Sequence, residues 1–261
     1  MWKTALLTGA SSGIGRATAL ELGRAGVRLA LLGRRLEQLE SVAAEIVASG
    51  GPLPVCLSVD LQDPEAVAQA VHRAYGVLSS LDLVCAIGAL GTPNLAEDPK
   101  SEALIGPMFL TNTVGTIRLL EVAKTYMLAQ GHGHLLAVSA AVDRRGMPGC
   151  ALYAASKAAL ANYMEGLGMA FELQGLPIVT TTVYPGYVDT PMSANVPNRW
   201  LLQSPEVAAK RLLAGASRRK RVVAFPWPIA WAGAILVRLP RALYLAIIRT
   251  DYEAMRRTLN D

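Results

Sequence analysis

The sequence predicts a doubly wound α/β fold, one parallel sheet of seven strands with helices on both faces. Three observations predict it. Seven short apolar runs, often β-branched, alternate with helix-length segments, the pattern of successive βαβ units. The first run ends in a glycine-rich turn that opens directly into a helix. Of the 261 residues, 52% are hydrophobic and only 17% charged, and there is no low-complexity stretch or repeat of roughly 20 to 50 residues. In chain order, Thr4 to Thr8 is the first strand and Ile14 to Ala25 the helix that follows it. Arg28 to Leu32 with Arg35 to Ser49, Pro54 to Asp60 with Pro64 to Tyr75, and Leu81 to Ala86 with Lys100 to Ala129 are the next three strand–helix pairs. His134 to Ser139 with Ala151 to Gln174, Ile178 to Tyr184 with Pro205 to Ser217, and the strand Arg221 to Phe225 complete the pattern. Right-handed crossovers stack such helices on both faces of the sheet. Ligands in this architecture bind beyond the carboxyl ends of the strands, so the residues just after each strand carry the function.

A chain of about 250 residues buries about three quarters of its unfolded surface, enough for one core without a disulfide or metal staple. We divide it into residues 1–225, the strand–helix domain, and 226–261, an apolar and basic helical extension. Cys56, Cys85 and Cys150 are odd in number and have no CxxC spacing, which argues against a disulfide framework or a zinc site and for a reducing, cytoplasmic location. The apolar stretch Ala5 to Leu7 is too short for the core of a signal peptide. His132 and His134 lie in Gly131-His-Gly-His134 without further ligands at usable spacing, and we read them as a loop, with no metal.

The net charge of +5 and isoelectric point near 9.2 invite a nucleic-acid reading. Its distribution argues against one. Residues 1–198 hold 13 basic and 16 acidic side chains, net −3, and 199–261 hold 12 and 4, net +8. No recognition motif or interleaved basic and aromatic groove accompanies the excess, so no nucleic-acid partner is expected. Arg218-Arg-Lys-Arg221 precedes a charge-free run of 16 residues, Val222 to Val237, shorter than the roughly 20 needed to span a bilayer. Three of the four tryptophans, Trp200, Trp227 and Trp231, fall in this tail. Two readings stay open: a flap packed on the body or on a second subunit, with arginines at its rim, or peripheral contact with an anionic membrane.

Thr8-Gly9-Ala-Ser11-Ser12-Gly13-Ile14-Gly15 supplies the turn at which backbone N–H groups and the positive end of a helix hold a pyrophosphate. A NAD site usually has an acidic residue after the second strand for the ribose 2′-hydroxyl. Here that place reads Gly33-Arg34-Arg35. A guanidinium binds a 2′-phosphate that a carboxylate would repel, so NADP(H) is expected. If Arg34 and Arg35 are only the solvated start of a helix, NAD serves equally.

Tyr153-Ala-Ala-Ser-Lys157 places a phenol and an ammonium on one helix face. Ser139, at the end of the fifth strand and 14 residues earlier, can fold back toward them. A phenol titrates near 10, and an adjacent ammonium lowers that value by favouring the phenolate. In ketone reduction Tyr153 is the acid that protonates the alkoxide, Ser139 the donor that polarises the carbonyl, and Lys157 the electrostatic partner and ribose ligand.

With these motifs the sequence resembles the short-chain dehydrogenase/reductase family, in its single-domain, Rossmann-like form, over roughly residues 4 to 225. The resemblance rests on TGxxxGxG at Thr8 to Gly15, Ser139, YxxxK at Tyr153 and Lys157, and the PG motif Pro185-Gly186-Tyr-Val-Asp-Thr190. It implies that Asn112 anchors a water near Lys157, that Asp60 and Leu61 contact adenine, and that Val188 and Thr190 hold the nicotinamide carboxamide, with Pro185 and Gly186 at the same site. It also implies a homodimer or homotetramer built through the helices beginning near Lys100 and Ala151. One departure stands out. After the fourth strand the family usually has NNAG, but this chain reads Asp82-Leu-Val-Cys-Ala-Ile-Gly88-Ala-Leu-Gly91, with only Gly88 to take the glycine's role. That absence keeps open a second reading, a catalytically silent NADP(H)-binding regulatory or scaffold protein. Tyr187, Pro191, Met192 and Trp200 resemble the family's mobile lid. Together with Val142, Met147 and Cys150 they are expected to line an apolar pocket, or merely to pack the lid. The expected substrate is a hydrophobic ketone or aldehyde, or its alcohol, for an enzyme of the carbonyl reductase or alcohol dehydrogenase type.

Overall fold

The computed structural model describes residues 2–193, 202–227 and 235–260. Strand β1 (Thr4–Thr8) is buried along its whole length. It pairs in parallel with β2 (Arg28–Gly33) on one side and β4 (Leu83–Ala86) on the other. With β3 (Val55–Ser58), β5 (Gly133–Val138), β6 (Ile178–Pro185) and β7 (Val222–Phe225), the order is β3-β2-β1-β4-β5-β6-β7, and every pairing is parallel. Strand order reverses between β1 and β4, which opens a crevice at their carboxyl ends.

Successive side chains of a strand point to opposite faces, and the two apolar layers follow from that. Leu7, Leu31, Leu136, Val138 and Val183 face one layer, with helices α1 (Gly13–Arg24), α2 (Leu36–Ala48) and α7 (Pro205–Ser217) contributing Leu20, Leu39, Ile46 and Leu212. Leu6, Val84, Leu135 and Ala137 face the other, against α3 (Pro64–Leu78), α5 (Thr116–Gln130) and α6 (Ala151–Leu173), while α4 (Ser101–Phe109) packs on α6. Each fully buried leucine contributes about 1.5–3 kcal/mol.

Two strands are shorter than the sequence predicts by two residues or more, and β7 by one. β3 stops at Ser58 because the chain turns at Asp60, whose carboxylate accepts from the Gln62 N–H. β4 starts only at Leu83 because side chains hold the two preceding residues: Gln130 bonds Leu81 through both N–H and C=O, and Thr4 Oγ1 accepts from Asp82 N. The predicted long helix is real but not uniform. A π-helical turn at Leu110–Gly115 joins α4 to α5. Gly115 allows it, since a Cβ there would collide with the carbonyl of Leu61. The loop reading of His134 is corrected. It lies within β5, buried, and donates from Nε2 to Thr181, because the single Thr181 hydroxyl proton goes to the Lys220 carbonyl. His132 meets Asp82 at the surface.

After β7, helix α8 (Arg241–Asn260) lies against the turn that precedes α6, burying Tyr244 and Ile248. The π-turned helix Ser101–Gln130 is long and apolar enough to cross a bilayer by length and composition alone, but Leu119, Leu120, Ala123 and Met127 of it belong to the core.

Candidate active site

The crevice is built from turns that touch because their glycines lack side chains. Gly9 has φ +68°, and a Cβ on it would stand 2.7 Å from the backbone of Gly88. Thr8 Oγ1 accepts from the N–H groups of both Ile87 and Gly88, at 3.1 Å. Threonine and a glycine pair thereby tie β1 to β4, where the usual asparagines are absent. A Cβ on Gly13 (φ +52°) would come 2.8 Å from Thr190, so the loop after β6 lies directly over the glycine turn. Within that loop Ser193 Oγ donates to Val188 O and accepts from Thr190 N. Gly186 N donates to Phe225 O, holding Pro185 and Gly186 at the sheet edge.

These residues fit a dinucleotide. Ser12 caps α1 without a side-chain bond to its N–H groups, and the first turn has no acidic residue, leaving the positive helix end for a diphosphate. Arg35 Nη2 donates to Ser11 Oγ at 3.1 Å and Ser12 Oγ at 3.4 Å, which sets a guanidinium over the glycine turn; Arg34 is exposed beside it. Leu61 packs at Gly88, and Asp60 is half-buried next to it.

Tyr153 stands in the first turn of α6 and Lys157 one turn later. Lys157 is 1% exposed, and its Nζ donates to Val138 O at 2.7 Å. Tyr153 and Lys157, four residues apart, share one face of α6. Asn112, in the π-helical turn, accepts from Leu90 N (2.7 Å) and donates to Leu90 O (2.8 Å) and Ser156 Oγ (3.0 Å). It thus joins the loop after β4 to the catalytic helix. Ser139 is 1% exposed and donates from Oγ to the Lys157 carbonyl at 3.1 Å.

The residues expected to line the substrate pocket divide into two groups. Met147 and Cys150 lie together under α8, with Cys150 Sγ 3.8 Å from Met147 O. Met192 lies across the crevice, where a Cβ on Gly91 would touch its sulfur, and Tyr187 is exposed nearby in sequence. The side chain of Val142, together with Trp200 and Trp231, lies outside the described residues. Burial pushes the Cys150 thiol up to about 11 and the Cys85 thiol higher still, so both are neutral thiols at physiological pH. Sequence reasoning missed Asn94, whose Oδ1 accepts from Leu152 N in the first turn of α6 and whose N–H donates to Gly149 O. Its signal was the turn composition Gly91-Thr-Pro-Asn94. It also missed Arg145 and Tyr244. Among the described residues no group of three His, Cys, Asp or Glu is placed to hold a metal.

The fold and the crevice define an α/β protein built to hold a dinucleotide beside a Tyr–Lys pair. The sequence model of the short chain dehydrogenase family matches residues 3–199, and the chain belongs to that family of oxidoreductases. An uncharacterized oxidoreductase of Myxococcus xanthus is 35% identical over 251 residues, covering 95% of this chain and 97% of the relative. The dehydrogenase/reductase SDR family member 7B of Bos taurus is 26% identical over 270 residues, covering 97% and 82%. Among solved structures, an alcohol dehydrogenase of the archaeon Thermococcus sibiricus complexed with 5-hydroxy-NADP superposes with TM-score 0.75 at 26% identity, over 86% of this chain and 95% of that one. A short-chain dehydrogenase/reductase of Burkholderia phymatum in complex with NAD gives TM-score 0.79 at 18% identity, over 89% and 92%, a likeness of fold.

Proposed function

We propose that the protein is an NADP(H)-dependent oxidoreductase that interconverts a hydrophobic ketone or aldehyde and its alcohol. The observation that carries this reading is the Tyr153–Lys157 pair on α6, with the ammonium buried at the carboxyl end of β5. When bound, the nicotinamide cofactor supplies the hydride. Tyr153 donates the proton to the developing alkoxide in reduction and accepts it in oxidation. Lys157 favours the phenolate and holds the ribose, while Asn112 keeps the loop after β4 in register with α6. Ser139, at the end of β5 with its Oγ 3.1 Å from Lys157 O, is the donor that polarises the carbonyl. Val188, Thr190, Pro185 and Gly186 are the groups for the nicotinamide side; Asp60 and Leu61 are those for adenine.

NADP(H) over NAD(H) is supported by Arg34 and Arg35 at the end of β2 and by the bonds from Arg35 to the glycine turn. Cofactor oxidation measured with NADPH and NADH over aliphatic, steroid-like and aromatic carbonyls tests both claims. Tyr153→Phe is expected to cut turnover by about 10²–10⁴-fold while NADPH still binds. Equal kcat/KM for the two cofactors would overturn the NADP(H) assignment. Undetectable oxidation in parent and variant alike would favour the silent binding protein.

The reading includes a cytoplasmic location and self-association through the α4–α6 face, supported by the exposed Leu110, Val114, Leu128, Met169 and Leu173. For the tail it keeps packing on the body, supported by buried Tyr244 and Ile248, with peripheral contact with an anionic membrane as the second reading, supported by exposed Trp227, Ile235, Leu243 and Ile247 in a segment rich in arginine.

A further inference from the structure

We propose that Arg145 is a positioning residue through which the C-terminal helix α8 shapes the substrate side of the active site. The inference rests on the oxidoreductase reading above for its kinetic part only. Arg145 lies in the turn between the strand that ends near Ser139 and the helix that carries Tyr153. Its Nη1 donates to the carbonyls of Leu236 (2.8 Å), Val237 (3.3 Å) and Leu239 (2.7 Å), and its guanidinium carbon stands 4.0 Å from the centre of the Tyr244 ring. No carboxylate among the described residues pairs with it. Its charge is spent on the carbonyl ends of the segment that leads into α8, which a planar, multi-donor guanidinium serves better than an ammonium.

α8 returns the contact. Tyr244 donates from its hydroxyl to Gly146 O at 3.1 Å and lies 3.7 Å from Met147 Sδ. Met255 occupies the space that a Cβ on Gly149 (φ +79°) would need, and Tyr252 flanks it. Arg256 binds Glu97 at 2.6 Å, fixing the far end of the helix to the loop after β4. The turn Arg145–Cys150 is therefore held from one side by α8 and from the other by Asn94, which bonds Gly149 O and Leu152 N. Met147 and Cys150 ride on that turn, and Tyr153 follows Cys150 by three residues. Releasing Arg145 frees the wall of the pocket without touching the Tyr–Lys pair or the glycine turn, so its effect belongs in substrate binding.

The test compares the parent with Arg145→Gln, Arg145→Lys and Tyr244→Phe, the last keeping the ring under the guanidinium while removing the bond to Gly146. KM and kcat are measured for one bulky and one small ketone, NADPH affinity by titration, and backbone amide exchange over residues 146–152 and 241–257. Arg145→Gln is expected to raise KM for the bulky ketone about tenfold, with kcat and NADPH affinity within about threefold. Exchange should rise in both segments. Arg145→Lys should recover little of the loss, and Tyr244→Phe should give a smaller effect of the same kind. A fall in kcat at unchanged KM, or equal effects on both ketones, would overturn the proposal. If the parent oxidises no cofactor with any carbonyl, the oxidoreductase reading fails by itself. Arg145 is then judged by exchange: faster exchange at 146–152 in Arg145→Gln supports the coupling, and unchanged exchange refutes it.

Discussion

The hydroxyl of Ser139 stands 3.1 Å from the carbonyl of Lys157, and because a hydroxyl rotates the same group can serve α6 and a substrate carbonyl. A buried hydrogen bond of this kind is worth about 1 kcal/mol, whereas a donor aimed at a developing oxyanion is worth about 10²–10³ in turnover. The two roles therefore separate in one experiment. Ser139→Ala is expected to lower kcat by about 10²–10³-fold; a loss of a few degrees of thermal stability with kcat/KM within about tenfold would leave Ser139 only the holding of α6. Arg35 offers a second test at this scale. Replacing it with Ala removes a cation from the glycine turn and is expected to weaken NADPH by about 1.5–3 kcal/mol while leaving NADH nearly unchanged, read from the two dissociation constants. Tyr153, Lys157 and the glycine turn were legible in the sequence because their chemistry is tied to a local spacing. That Ser139 meets the Lys157 carbonyl was not, since it depends on which carbonyl the fold brings within 3.1 Å.

At the scale of elements, the helices and strands followed their apolar periods closely, but the device inside the longest helix did not show. The π-helical turn at Leu110–Gly115 exists because the backbone of Leu61 presses on Gly115, a contact 54 residues apart in sequence. It presents Asn112 to both Leu90 and Ser156. Asn112→Ala leaves half-buried backbone groups of Leu90 and the buried Ser156 hydroxyl without that partner and is expected to cost about 1–3 kcal/mol of stability, measurable by chemical denaturation. The tail shows the same division. Composition marked it as apolar and basic, but only packing distinguishes Tyr244 and Ile248, which are buried, from Leu243 and Ile247, which face solvent. Those exposed residues predict co-sedimentation with vesicles of anionic lipid, reduced by salt and by Leu243→Ser with Ile247→Ser. Failure of the parent to bind at low salt would remove membrane contact from the proposed function.

Across the whole molecule, the sheet carries a titrating group at its centre. Burial, and then the charge of Arg219, lower the pKa of His134 to about 4. The unfolded chain therefore binds the proton more readily, and stability falls as pH drops from about 6.5 toward 4, by an amount on the order of 3 kcal/mol. His134→Phe is expected to flatten that part of the stability profile relative to the parent, measured by denaturant unfolding between pH 4 and 7.5. The sequence by itself determined the order of elements, the glycine turn, the Tyr–Lys pair and the split between an acidic body and a basic tail. All of these follow from local spacing and composition. Tertiary structure alone decided that Thr8 and a glycine contact tie β1 to β4, that Asn94 and Asn112 brace α6, and that Arg145 joins the turn before α6 to α8. Each is a contact between segments far apart in the chain, and the propensities of either segment carry no record of the other.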